Sequence, residues 1–210
     1  MAILAYPALA SANDYGVATE LSADNGAELQ RIEISVTCIG TGSGFVFDDM
    51  WQGIQDDAGW IELGTSFCDQ GDPNAKWIWA RYTPSWGYLE GVIQRNVATG
   101  WNNVFKIWNY SGGNWKAYIN GSERQGFFGY GAGSDANSAT VGLEVTASRI
   151  NSTQAATYET SLKAWSTPTT WAYWAGRDAC DDTSTHIYPK WITDQSWRHS
   201  LNSTLPVSSC

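Results

Sequence analysis

The chain has 210 residues, enough for one domain with a substantial core, and its 13 tryptophans, 21 glycines and 16% charged residues describe an ordered, aromatic-rich globule. A formal net charge of −9 without any basic stripe argues against a nucleic-acid partner. No apolar run reaches the ~18 residues of a membrane span, so no membrane partner is expected. Acidity of this kind suits a soluble protein outside the cell or one working at low pH.

In chain order, the start MAILAYPALASA is apolar and closes on Ala-Ser-Ala, as a signal cleavage site does, but lacks a basic n-region. It reads as an added Met on a mature or trimmed chain. Arg31–Thr37 alternates, with Ile32, Ile34 and Val36 on one face and Arg31, Glu33 and Ser35 on the other. Ala58–Cys68 reads as a strand with Ile61, Leu63, Thr65 and Phe67 on one face and Trp60, Glu62, Gly64 and Ser66 on the other. Lys76–Thr83 sets Ile78, Ala80 and Tyr82 opposite Trp77, Trp79 and Arg81. Val104–Tyr110 and Asn114–Asn120 flank Ser-Gly-Gly, which predicts a hairpin, and Asn120-Gly121 predicts the next turn. Thr140–Ala147 sets Val141, Leu143, Val145 and Ala147 opposite Thr140, Gly142, Glu144 and Thr146. Thr169–Cys180 is ambiguous, with room for one or two helical turns, and the Trp-, Ser- and Thr-rich tail reads as outer strands and covering loops.

Many short strands with Gly-rich turns predict an all-β fold, an antiparallel β-sandwich. One domain is expected over 1–210, with 1–15 as an N-terminal extension, 16–147 as its core and 148–210 as outer strands and loops. Cys38, Cys68, Cys180 and Cys210 lack CxxC spacing, which leaves little support for structural zinc. They suit two disulfides in an oxidising compartment, with three pairings open and buried free thiols as the alternative.

The residue inventory removes several chemistries. His186 and His199 are the two histidines, HExxH is absent, and no His/Cys cluster has metal-ligand spacing. GTGSG at Gly40–Gly44 is neither a nucleophile elbow nor a phosphate loop and reads as a turn. The pairs Asp48-Asp49, Asp56-Asp57 and Asp181-Asp182 read as solvated turns in loops, without the spacing of a calcium loop. What remains are two glutamates on strands, where glutamate is a poor former. Glu62 and Glu144 each face away from an aliphatic row, and each has a glycine, Gly64 or Gly142, two positions away on its own face. Neighbouring strands would bring them together in a curved sheet with a groove on one face, walled by Trp60, Trp77, Trp79 and Arg81. The alternative for each glutamate is a merely solvated strand face.

These segments resemble the glutamic peptidases, which are β-sandwich enzymes. WIELGTSFC resembles the strand carrying their first catalytic residue, a glutamine in the eqolisin branch and a glutamate closely followed by glycine in the neprosin branch; here it falls on Glu62. Trp77-Ile78-Trp79-Ala80-Arg81-Tyr82 resembles the aromatic strand that follows. GGNWKAYINGSERQGFF resembles a neprosin segment in which a tryptophan-rich strand enters an Asn-Gly turn. Val141–Val145 resembles the segment holding the second catalytic glutamate, Glu144, and Tyr15–Ala18 the start of the catalytic domain.

The resemblance implies a secreted endopeptidase with a polypeptide substrate and neither metal nor cofactor. Two carboxyls sharing one proton would activate water, Glu144 as base and Glu62 as acid, with Trp77 and Trp79 clamping the peptide. Activity is expected at low pH and suppression near neutrality. Rival readings are a non-catalytic extracellular sandwich, carbohydrate-binding or structural, and, with less support, a glycosidase. Self-assembly stays open.

Overall fold

Residues 13–20, 25–40, 43–54, 59–69, 72–111, 113–127, 136–166, 170–174, 179–182, 186–188, 190–193 and 195–202 are described by a computed structural model. Period-two runs of branched and aromatic residues, interrupted by Gly and Asn turns, build strands almost throughout. These are β1 (Asn13–Glu20), β2 (Gly26–Ile32), β3 (Val36–Thr37), β4 (Val46–Ile54), β5 (Gly59–Phe67), β6 (Lys76–Thr83), β7 (Gly87–Arg95) and β8 (Asn102–Ser111). They continue with β9 (Asn114–Ile119), β10 (Ser122–Phe127), β11 (Ala136–Thr146), β12 (Thr153–Ser166), β13 (Thr170–Tyr173), β14 (Ala179–Asp182), β15 (Lys190–Thr193) and β16 (Ser196–Leu201). A single 3-10 turn, Ala147–Arg149, separates β11 from β12.

One antiparallel sheet has seven strands in the order β14-β1-β11-β4-β5-β6-β7. The other has nine, ordered β10-β9-β8-β2-β12-β16-β15, with β3 and β13 also paired to β12. The sandwich expected from sequence is therefore the architecture observed. Strands β8 and β9 pair as the expected hairpin, with Ser111 opposite Asn114. The β9–β10 turn places Asn120 at φ 52° and Gly121 at φ 77°, as a two-residue turn matched to strand twist requires.

Several local expectations are corrected. Thr169–Cys180 contributes two strands, β13 and the start of β14, and no helical turn among its described residues. β12 and β16 are interior strands of the nine-stranded sheet rather than outer ones. Asp48 and Asp49 lie in the middle of β4 and are fully buried, and Asp181 and Asp182 lie in β14. Asp56-Asp57 lies outside the described residues. The alternation over Arg31–Glu33 is inverted: Arg31 and Glu33 are buried while Ile32 is 40% exposed.

The inversion has an electrostatic cause. Between the sheets, Arg31 Nε donates to Glu159 Oε1 at 2.8 Å, and the guanidinium also reaches the main-chain carbonyls of Asp48 (2.5 Å) and Asp49 (2.7 Å). Asp48 Oδ1 lies 2.8 Å from His199 Nε2, and its Oδ2 accepts from Gln154 Nε2 at 2.8 Å. Glu33 accepts from the Thr65 hydroxyl. Buried ions survive only when paired and hydrogen-bonded, and here strands β2, β4, β5, β12 and β16 supply the partners. Apolar packing surrounds this network, with Leu29, Met50, Ile61, Leu63, Phe105, Ile107, Leu143, Leu162 and Trp197 in one core. Cys38 and Cys68 form a disulfide that ties the chain after β3 to the end of β5. No described helix is long and apolar enough to cross a membrane, which says nothing about membrane-spanning strands.

Candidate active site

The face of the seven-stranded sheet turned away from the core carries the acids. Cross-strand registers fix this: Asp48 pairs with Thr65 and Thr65 with Trp77, all on the core side, where Trp77 meets Phe105 of β8 edge-on at 6.3 Å. The opposite face of the same strands presents Glu62 and Trp51 as direct cross-strand partners, and Glu144 opposite Phe47. Asp49 stands on β4 midway between Phe47 and Trp51. Glu144, Asp49 and Glu62 therefore run diagonally across β11, β4 and β5, within reach of one another. One oxygen from each lies within 4.8 Å of one from each of the others.

All three acids are nearly or wholly removed from water, Glu62 at 4% exposure, Glu144 at 8% and Asp49 at 0%. Burial, reinforced by the charge of Glu144, pushes the Glu62 carboxyl up to about 8; hydrogen bonds with Asp49 and the Trp51 indole only partly oppose it. Asp49 is also raised well above the usual carboxylate range, by burial first and then by the charges of Glu62 and Glu144. Their oxygens converge closely enough to hold a divalent ion were all three ionised. Burial instead drives Glu62 and Asp49 toward their protonated forms, so these two hold protons at acid pH.

Glu62 and Glu144, singled out from sequence on separate strands, are thus brought together, with β4 between them. The aromatic residues divide. Trp60 lies on the acid face, stacked against Tyr82 (6.3 Å, 24°) and 5.9 Å from Tyr88. Tyr88 donates to Glu90 Oε2 at 2.6 Å. Burial, this hydrogen bond and the nearby charges of Glu62, Glu90 and Glu144 all raise the Tyr88 phenol. Trp77, Trp79 and Arg81 point the other way, because Glu62 pairs with Ala80 and they pair with Thr65, Leu63 and Ile61. Trp77 is buried in the core, Trp79 packs on Phe127 at 5.6 Å, and Arg81 lies over the Trp86 ring at 5.2 Å. Of the expected wall of Trp60, Trp77, Trp79 and Arg81, only Trp60 shares the face of the acids, together with Tyr82 and Tyr88.

Asp49, Trp51, Tyr82 and Tyr88 were missed by sequence reasoning. A signal for Tyr82 was present, since period two puts it opposite Trp77, Trp79 and Arg81. Asp49 was hidden by the adjacent Asp48, because two consecutive aspartates read as a turn. Gly64 and Gly142 were expected to leave open space beside the acids, but at Gly64 a Cβ would meet the Asp48 carbonyl and Asp49. Both glycines pair directly with Asp49, so the space holds a third carboxyl.

No protein-family model and no curated protein matches the sequence. Among solved structures, scytalido-glutamic peptidase with a peptide-based transition-state analogue superposes with a TM-score of 0.62 at 12% identity, over 91% of this chain and 98% of that one. SCP-B, a member of the eqolisin family of peptidases solved with a tripeptide, gives a TM-score of 0.54 at 11% identity, over 91% and 98%. The chain therefore has the β-sandwich fold of the eqolisin glutamic peptidases, at an identity that establishes the fold and assigns no residue its role.

Proposed function

We propose that this protein is a secreted endopeptidase of the glutamic type, with Glu62 and Glu144 as its dyad and a polypeptide as its substrate. The observation that carries the reading is the convergence of these two carboxyls on one face of the curled sheet, beside the aromatic wall of Trp60, Tyr82 and Tyr88. A glutamate at position 62, where the eqolisin branch has glutamine, favours the neprosin-like form of the dyad. The Cys38–Cys68 disulfide supports an oxidising compartment.

The chemistry takes Glu144 as the base and Glu62 as the acid. Ionised Glu144 takes a proton from water as the water oxygen attacks the scissile carbonyl carbon. Glu62, which keeps its proton up to about 8, donates toward the carbonyl oxygen and the tetrahedral intermediate forms. On collapse one hydroxyl proton returns to Glu62 as the carbonyl re-forms and the C–N bond breaks, and the proton held by Glu144 goes to the departing amine. The alkaline limit is the loss of the Glu62 proton, so activity extends somewhat higher in pH than sequence alone suggested. No step needs a metal.

The test is digestion of a denatured protein at about pH 4 by the wild type and by Glu62→Gln and Glu144→Ala, with and without a chelator. Cleavage by the wild type that the chelator leaves intact, and that falls at least about a hundredfold in Glu144→Ala, supports the reading. Undiminished cleavage in both variants, or none by the wild type, sinks it.

A further inference from the structure

A third carboxyl sits at the centre of the acid cluster. Asp49 lies between the strands bearing Glu62 and Glu144, cross-strand from Gly64 on one side and Gly142 on the other. A Cβ on Gly64 would come within 2.9 Å of Asp49 Cβ and 2.6 Å of its Cα, so a side chain there would displace the aspartate. Asp49 is fully buried, and neither of its carboxyl oxygens has a hydrogen-bond partner with all the acids ionised.

Among the described residues, the titratable groups around it lie on three strands. Glu62 faces it from β5 and Glu144 from β11, and Glu90 and Tyr88 on β7 lie beyond Glu62. Arg31 on β2 reaches only its main-chain carbonyl, from the core side, and Asp48 points away into the core network. A buried carboxylate without a donor is far costlier than a neutral acid. The remaining way to satisfy these oxygens is a proton on the Asp49–Glu62 pair itself.

We propose that Asp49 is a neutral carboxylic acid that positions the dyad, donating its proton to Glu62 and so orienting that side chain toward Glu144. The neutral acid supplies Glu62 with a donor besides the Trp51 indole, and it limits the charge that three adjacent carboxyls must carry. Burial and the neighbouring acids hold the Asp49 proton well above the usual range, and the more distant charge of Arg31 is too weak to reverse this. The catalytic meaning of this assignment rests on the peptidase reading; the proton itself does not.

Two experiments on the full chain separate these. The first is a carboxyl-carbon NMR titration of aspartate-labelled protein without substrate. One aspartate should stay protonated past about pH 6 and disappear from the spectrum in Asp49→Asn. If every aspartate titrates below about pH 5, the proposal is overturned whether or not the protein cleaves peptides. If the protonated aspartate is present but the wild type cleaves nothing, the peptidase reading falls and the proton assignment stands.

The second is the pH–rate profile. Asp49→Asn keeps a donor at this position and should retain kcat within about threefold. Asp49→Ala removes it: kcat should fall at least about tenfold with KM within about threefold, and the alkaline limb should move up by about half a pH unit as Glu62 loses the bond that favours its ionised form. Wild-type behaviour in both variants, or equal impairment of both with the fold retained, overturns the proposal. Should Asp49→Ala not fold, an Asp49→Asn variant impaired more than about tenfold overturns it alone.

Discussion

Arg31 on β2 donates through Nη2 to the main-chain carbonyl of Asp49 on β4 at 2.7 Å, so a guanidinium in the core grips the strand whose side chain enters the acid cluster on the other face. Two buried polar groups, one inside the sandwich and one on the outer face of a sheet, are thus joined through a single strand. Asp48, one residue earlier, points down into the Arg31–Glu159–His199 network, while Asp49 points up toward Glu62 and Glu144.

Arg31 is the first consequence. Arg31→Met should leave Glu159 buried without its cation and free two carbonyls of β4, at a cost of about 3–5 kcal/mol in urea unfolding. Arg31→Lys should recover only part of this, because an ammonium cannot reproduce the forked contact to two carbonyls and a carboxylate. A loss below about 1 kcal/mol for Arg31→Met would contradict this account of β4.

Stability should fall as pH rises. Burial is the chief cause that holds Glu33 at about 7 and Glu62 at about 8, against an ordinary 4.5. The folded chain keeps protons that the unfolded chain releases, so these groups contribute stability that is complete below the unfolded value and is lost as pH rises through the folded ones. Glu28 has the opposite sign: Lys106 and Lys163 outweigh its burial and lower it, so its contribution is lost as pH falls through its folded value. A thermal melting series should therefore peak near about pH 5 and decline toward about pH 8. A midpoint that climbs steadily across that interval would contradict the assignment.

The two aromatic faces should separate in kinetics and stability. Trp60→Ala should raise KM for a peptide by about tenfold with a smaller change in kcat, since it removes binding surface beside the acids. Trp77→Ala should instead cost about 3–5 kcal/mol of stability, because its ring fills the core against Phe105. The reverse pattern would place the groove on the wrong side of the sheet.

The Cys38–Cys68 bridge spans 30 residues. Closing a loop of this length removes enough freedom from the unfolded chain to be worth about 3–4 kcal/mol. A double Cys38→Ser, Cys68→Ser variant should unfold at correspondingly lower urea concentration, and an unchanged midpoint would show that the unfolded chain is already restrained there.

Local pattern alone reached far in this protein. Period-two alternation located β5, β6, β9 and the core of β11, and the Asn-Gly and Ser-Gly-Gly signals located two hairpin turns, because these depend on neighbours in the chain. It also singled out Glu62 and Glu144, since a glutamate opposite an aliphatic row is visible without knowing the partner strand. Alternation divides a strand into two faces but does not say which meets the neighbour's. That was decided by register: the pairing of Glu62 with Ala80 turned Trp77, Trp79 and Arg81 to the face opposite the acids and left Tyr82 beside them. Pairing also decided the polarity of β2, where Arg31 is buried because Glu159 and the carbonyls of Asp48 and Asp49 arrive from distant segments to solvate it. The place of Asp49 was settled the same way, since the glycines across from it on both neighbouring strands, Gly64 and Gly142, give its side chain room.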